Sequence, residues 1–384
     1  MLKGKEQKPV VLQVLPAMGQ GGVERGTLQV AEYLKEKGIE NFVAADKGYL
    51  SRRLKNAKVK QFVLPLSTKN YFKLRSNAKV LEKIIRDNNI NIVHARSRAP
   101  AWSAYWAAKK TGAHFVTTFH GTYGLGPLGI KKIYNKVMTL GERVIAISSH
   151  IKNHILKNYK DTNEKNIRLI HRCVDIDDFN PKAITSERMI KFIEKYNLPN
   201  DRKIILATGR LTHWKGQHLL LEALGKIKEM NFHLILLGDA QGRNKYVEHL
   251  KSLIEKHNLA GKVTFIGHTD DVPALMMLCS VITSTALEPE AFGRMTIEGQ
   301  IMGKITVASN IGGSLENLKD GKTGRLFKSG DVESLVKALK WALSLSEKEK
   351  QEIAKNAEVF VKENFTKQIM CDKTLKVYEE LLEG

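Results

Sequence analysis

The stretch RKIILATGRLTHWKGQHLLLEALGKIKEM, residues 202–230, decides how the chain folds. RKIILATGRL reads as a strand, with Gly209 and Arg210 near its end. GQHLLLEALGKIKEM reads as the helix that follows it. Downstream, FHLILLGD is a second strand, NKYVEHLKSLIEKHNL a second helix and VTFIGH a third strand. DVPALMMLC, VITSTA, TIEGQIMGK and ITVASN continue the series. Such alternation predicts a parallel sheet with helices on both faces.

The same grammar runs through the first half. KPVVLQVLP is a short apolar strand, MGQGGVE a glycine-rich turn and RGTLQVAEYLKEKG an amphipathic helix. ENFVAA, VKQFVLPL, INIVHARS, HFVTTFHG and RVIAISS are further strand-like runs, with NAKVLEKIIRDNN and APAWSAYWAAKKTG among the helical segments between them. IRLIHRCVDIDDFNP reads as the last strand of this half, closed by Pro181, and KAITSERMIKFIEKYNLPNDR as a helical linker. The expected organisation is therefore a doubly wound domain over 1–182 and a second over 183–363. A last helix over 364–384, after a break near Asn364, packs back across the domain junction.

With 384 residues, 42% of them hydrophobic, the chain can build two packed cores. Three scattered cysteines suit a reducing compartment and give neither a disulfide framework nor zinc spacing. The N-terminal MLKGKEQKPVVLQVLP turns polar too soon for a signal peptide, and no apolar run is long enough to span a membrane. The net charge of +22 is lopsided. Residues 1–180 carry 32 Lys+Arg against 14 Asp+Glu, and the remainder carries 30 against 26. A basic first half attracts anionic surfaces: lipid headgroups, acidic glycans or nucleic acid. Its basic runs lack interleaved aromatics, which argues against nucleic acid. A solvated lysine-rich face is the plain alternative.

In open α/β sheets ligands sit beyond the carboxyl ends of strands, so residues there carry the functional reading. GQGGVE, Gly19 to Glu24, would let a ligand approach the backbone at a helix start through Gly21 and Gly22. Glu24 stands where a dinucleotide fingerprint needs its third glycine, which counts against a nicotinamide-dependent oxidoreductase. Gly321 to Thr323 lacks the upstream glycine of a phosphate-binding loop, and Asp175 to Asp178 reads as a capped turn rather than a metal site. In GRLTHWKGQ, Gly209, Arg210 and Lys215 form a candidate diphosphate clamp beside a helix start. In EPEAFGRMTIE, Phe292 and Gly293 turn the chain and Arg294 opens a helix. Glu290 and Glu298 flank the position a phosphate would take, each able to accept bonds from sugar hydroxyls. His120 stands at a strand end, where it can touch a sugar or act as acid or base. Arg96, Arg98 and Arg172 are candidates for an anionic acceptor.

Taken in order, GQGGVE, TFHG, RVIAISSH, IHRCVDIDDF, GRLTHWKG, EPEAFGRMTIEGQIMGKITVASNIGG and DGKTG resemble glycosyltransferase family 4 over nearly the whole chain. The form EPEAFGR…EGQ…G…ASNIGG resembles bacterial lipopolysaccharide-core enzymes, whose donor is often GDP-mannose. Cys173, Lys304 and Ile305 depart from the common pattern. The resemblance implies the GT-B fold, two Rossmann-like domains facing a cleft, with the last helix crossing back to the N-terminal domain. It implies a retaining hexosyltransferase that needs no metal or other cofactor and takes its sugar from a nucleotide-sugar donor. Carried onto this chain, Arg210 and Lys215 neutralise the leaving diphosphate. Glu290 holds sugar hydroxyls, Glu298 the ribose, and His120 lies near the transferred sugar. The implied acceptor is an anionic lipid-linked saccharide on the inner face of the bacterial cytoplasmic membrane; a capsule or exopolysaccharide glycolipid is the alternative.

Overall fold

The computed structural model describes residues 7–383, apart from the side chain of Leu128; the first residues of the N-terminal stretch read above lie outside them. The chain divides into two compact units, each described by itself. Unit 1 runs to Arg172 and resumes at Lys367; unit 2 is Cys173–Thr366.

In unit 1 the elements run β1 (Val11–Ala17), α1 (Gly22–Glu36), β2 (Asn41–Asp46), α2 (Ser51–Asn56), β3 (Lys60–Val63), α3 (Tyr71–Asp87) and β4 (Ile92–Ala95). Then come α4 (Arg98–Thr111), β5 (His114–Phe119), α5 (Ile130–Asn135), β6 (Arg143–Ala146), α6 (Ser149–Asn158) and β7 (Ile167–Leu169). All seven strands are parallel, in the order β3-β2-β1-β4-β5-β6-β7.

Unit 2 repeats the plan. It contains α7 (Ser186–Tyr196), β8 (Lys203–Thr208), α8 (Gln217–Gly225), β9 (Phe232–Leu237), α9 (Asn244–Lys256), β10 (Val263–Ile266) and α10 (Val272–Met277). These are followed by β11 (Val281–Ser284), α11 (Arg294–Ile301), β12 (Ile305–Ser309), α12 (Ser314–Asn317), β13 (Arg325–Phe327), α13 (Val332–Ser344) and α14 (Glu347–Asn364). Its six parallel strands are ordered β10-β9-β8-β11-β12-β13. Central strands are covered on both faces, which is why β9, FHLILL, is buried at every residue.

In each unit the strand order reverses once, at β1/β4 and at β8/β11. Loops leaving those two strands diverge to opposite faces and open a crevice at the carboxyl edge. That crevice is where the fold presents ligand-binding residues.

Helix α15 (Lys367–Leu382) belongs to unit 1. The Tyr33 hydroxyl of α1 bonds the carboxylate of Asp372, and Tyr378 Oη lies 2.7 Å from Nδ1 of the buried His94. Glu380 accepts from Arg168 Nη2 at 2.7 Å and from Arg143 Nε at 3.1 Å.

Two sequence-based expectations need correction. The first domain ends at Arg172, not at 182. Val174 donates to the Phe365 carbonyl at 2.9 Å and bridges Thr366, so the segment after Arg172 is anchored within unit 2. Likewise α7 is not a linker. Arg188 forks onto Asp271 at the start of α10, at 2.8 and 2.6 Å, and fixes α7 to unit 2. Asp175 Oδ1 accepts from the Asp177 N–H at 3.3 Å, a local turn, and Gly321 takes φ +73 in a surface turn. Among the described residues no cluster of three or more His, Cys, Asp or Glu side chains could hold a metal, and no helix is long and apolar enough to cross a membrane.

Candidate active site

At the β8/β11 reversal of unit 2 the two loops are bolted together by their backbones. The Leu287 N–H donates to the Trp214 carbonyl at 2.7 Å. Thr285 Oγ1 lies within 3.1 Å of the Lys215 carbonyl and 3.0 Å of the Gly216 carbonyl. Gly216 has φ +69, and a Cβ there would sit 2.0 Å from the Thr285 carbonyl oxygen, so no other residue fits. These contacts place Lys215 against Gly209, where a Cβ would meet Lys215 Cε at 3.2 Å.

Lys215 Nζ donates to Glu290 Oε1 at 2.7 Å, and Ser284 Oγ donates to the same oxygen at 3.0 Å. The two charged side chains are only 16% and 15% exposed. Arg294, on the first turn of α11, bonds Glu298 Oε1 one turn further on through both Nε and Nη2. In both glutamates the protein engages Oε1. No described group bonds Oε2 of either, and Glu290 Oε2 points toward Gly293 at the head of α11. Each carboxylate is thus oriented by a cation while one oxygen stays open to an outside donor. Arg210 is exposed, and its guanidinium has no partner among the described residues.

The turn that carries Glu290 is fixed by glycines further along the chain. Gly312 has φ +60, and a Cβ there would lie 2.5 Å from the Glu290 carbonyl oxygen; one on Gly313 would lie 2.3 Å from Phe292 Cα. Asn317 of α12 donates to the carbonyls of Phe292 and Gly293. Phe292 itself is buried, with its ring edge-on to Phe365 at 5.5 Å. Gly293, at φ +78, lets the chain turn into α11. Beside this constellation, Thr212, His213, Trp214, Arg243, Tyr246 and Glu288 line an open groove of about 730 Å³.

Unit 1 brings together Gly21, Gly22, Arg96, His120 and Arg172 at its own carboxyl edge. The Arg172 guanidinium donates to the Gly22 carbonyl and fills the space beside Gly26, where a Cβ would lie 2.0 Å from Nη1. The anion-favouring start of α1 faces the protein's own acid: Glu24 Oε2 lies 2.5 Å from the Cβ position of Gly21. Arg96, Thr118, His120, Arg172, Met370 and Thr374 line a small internal cavity. His120 Nε2 is sealed from solvent without a hydrogen-bond partner. Burial, then the charges of Arg96 and Arg172, hold its pKa well below the usual value, so the ring is neutral at physiological pH. Arg98 does not join this group. It opens α4, bonds Asn135 Oδ1 at 3.0 Å and lies over the Tyr123 ring at 4.3 Å.

The sequence reading missed Ser284, Thr285, Asn317 and the roles of Gly312 and Gly313. VITSTA and ASNIGG were both visible, but only the strand order brings them to Glu290.

Two doubly wound units, each with charged loops at its strand-order reversal, match the architecture of a glycosyltransferase of the GT-B type. Family models agree: "Glycosyltransferase Family 4" matches residues 20–178 and "Glycosyl transferases group 1" residues 189–360. A solved glycosyltransferase from Rickettsia africae is 39% identical, with a TM-score of 0.90 over 98% of this chain and 99% of that one. Anabaena Alr3699/HepE, solved with UDP and glucose, is 20% identical, with a TM-score of 0.83 over 97% of this chain and all of that one. The N-acetyl-alpha-D-glucosaminyl L-malate synthase of Bacillus anthracis is 24% identical over 79% of this chain and 77% of its own length. The chain belongs to the group 1 and family 4 glycosyltransferases.

Proposed function

We propose that this protein is a retaining, metal-independent hexosyltransferase. It would move a sugar from a nucleotide diphosphate to an anionic lipid-linked saccharide, such as a lipopolysaccharide core, at the inner face of a bacterial membrane. The observation that carries the reading is the pair of cation-oriented glutamates in unit 2, each with Oε2 open. Glu290 would accept hydroxyls of the donor sugar and Glu298 those of the ribose. Gly21 and Gly22 would offer backbone N–H groups to phosphate once Glu24, which faces that helix start, turns aside, and His120, being neutral, a hydrogen bond to a sugar rather than a proton.

The reaction breaks the bond between the anomeric carbon and the diphosphate and forms one to the acceptor oxygen on the same face. The acceptor proton passes to the departing phosphate oxygen. Arg210 and Lys215 would stabilise the negative charge that develops there, the work a divalent ion does in other transferases. Lys215 must therefore loosen from Glu290 as the diphosphate arrives. Arg96 and Arg172 would favour an anionic acceptor, and the basic first half an anionic membrane surface.

The test has two stages. A thermal-shift screen over GDP-, UDP-, ADP- and CMP-sugars, starting with GDP-mannose, identifies the donor. Labelled transfer to a lipid acceptor is then measured with and without EDTA. Full activity in both Lys215→Ala and Glu290→Ala would refute the site; loss of activity in EDTA would refute metal independence.

A further inference from the structure

Unit 1 carries a surface that catalysis does not use. Phe72 is 79% exposed at the start of α3, and Ile130 and Ile133 are 67% and 74% exposed on α5. An unbroken run of aromatic rings joins the two places. Phe72 meets Tyr71 at 5.8 Å, Tyr71 meets Trp106 at 5.9 Å, and Trp106 meets Trp102 at 5.6 Å. Trp102 then donates its Nε1–H to the Tyr134 carbonyl of α5 at 3.0 Å. Arg75 stacks over Trp106 at 4.1 Å and bonds Tyr71 Oη at 3.0 Å, which fixes the row.

Charge around this row is predominantly positive, with Asp161 on Lys136 the acid near the α5 end. Between Asp46 and Glu142 the only acidic residues are Glu82 and Asp87. Both are occupied toward the other end of α3: Glu82 by Lys110 and Arg86, Asp87 by Lys83. Lys69 and Lys73 beside Phe72, and Lys131 beside Ile133, are exposed, with no ion pair among the described residues; Lys132 is exposed too, with Asp161 near enough to feel its charge. Exposed apolar tips, half-buried tryptophans and a fringe of exposed lysines match a bilayer interface, where rings sit at headgroup depth and cations meet anionic lipid. A protein partner would need acidic residues facing every lysine around an apolar centre; a lipid surface meets both demands at once.

We propose that the Tyr71–Phe72 end of α3, Trp102 and Trp106 of α4 and the outer face of α5 form a membrane-docking surface for anionic phospholipid. The inference rests on the membrane-surface part of the reading above, but not on the donor or the reaction. It assigns attachment to particular apolar side chains rather than to charge alone.

The experiment is sedimentation of the full chain with vesicles of pure phosphatidylcholine or of phosphatidylcholine with phosphatidylglycerol, at low and physiological salt. The wild type is expected to partition onto the phosphatidylglycerol vesicles and to retain part of that binding at physiological salt. Phe72→Ser combined with Ile130→Ser and Ile133→Ser should weaken partition by about tenfold or more. Lys69→Gln with Lys73→Gln should weaken it by several-fold, mainly at low salt. Brominated phosphatidylglycerol should quench the wild-type tryptophan emission, and Trp102→Phe with Trp106→Phe should abolish that quenching, because Trp214 and Trp341 lie in unit 2. Unchanged vesicle binding in the triple serine variant overturns the proposal. So does a wild type that ignores vesicles and instead forms a dimer that this variant disrupts. Donor hydrolysis without vesicles should be the same in the triple variant as in the wild type. If no donor is turned over while vesicle binding behaves as expected, the docking surface stands and the transferase reading falls.

Discussion

The two units share one topology but treat charge in opposite ways at their strand-order reversals. Unit 2 balances its charges: Lys215 sits on Glu290 and Arg294 on Glu298, each pair largely shielded from water. Unit 1 gathers Arg96 and Arg172 around a histidine that stays neutral. A balanced site can be held rigid before its ligand arrives, since breaking one ion pair and making another moves little net charge. The fold fixes where ligands bind, while the local charge balance fixes what kind of ligand each unit will take.

The sharpest way to break this comparison is to unbalance unit 2. Lys215→Ala leaves Glu290 without its cation and the leaving group without a counter-charge. Initial rates of labelled transfer should fall by about 10²–10³, whereas a drop of less than tenfold would mean that the pair is ornamental. Next in size is the backbone that carries Glu290. Gly312→Ala combines a left-handed φ with a clash against that residue's carbonyl. It should cost unit 2 about 2–4 kcal/mol, read from the urea transition.

Acid should strike unit 1 first. His94 and His120 are both held well below the ordinary histidine pKa, mainly by burial and then by neighbouring positive charge. The unfolded chain takes up protons that the folded one refuses. Stability therefore declines as pH falls below about 6.5, by up to ~1.4 kcal/mol per pH unit for each histidine. Melting curves between pH 7.5 and 5 check this; a flat profile would contradict it. Tyr378→Phe strips the hydroxyl from the buried His94 and should lower stability by about 1–2 kcal/mol. The smallest effect is expected of Glu380→Gln. Its pairs with Arg143 and Arg168 are partly exposed and screened, so a loss of about 0.5–1 kcal/mol should appear in low salt and shrink in high salt.

Much of this architecture could be read from the chain alone. Strand-like runs ending in glycine or charge announced the parallel sheets, and Lys215, Glu290 and Glu298 stood out because they follow such runs. What stayed hidden depends on distance along the chain. Nothing local tells that Gly312 must make room for Glu290, or that Asn317 grips the carbonyls of Phe292 and Gly293. The boundary at Arg172 was missed because the backbone bond that decides it joins Val174 to Phe365. The helix α7 looked like a linker because its polar face was plain, whereas its anchor on Asp271 lies far downstream. The arginines from two other loops that share a cavity with His120 likewise leave no mark on the histidine's own neighbours in sequence.

The place of α15 bears on how the chain is made. The tyrosine that covers His94 and the glutamate that holds Arg143 and Arg168 leave the ribosome only after the whole of unit 2. Until then the earliest-made sheet waits with a bare flank while the other half is synthesised and folds. Removing α15 should therefore injure unit 1, which is translated before unit 2.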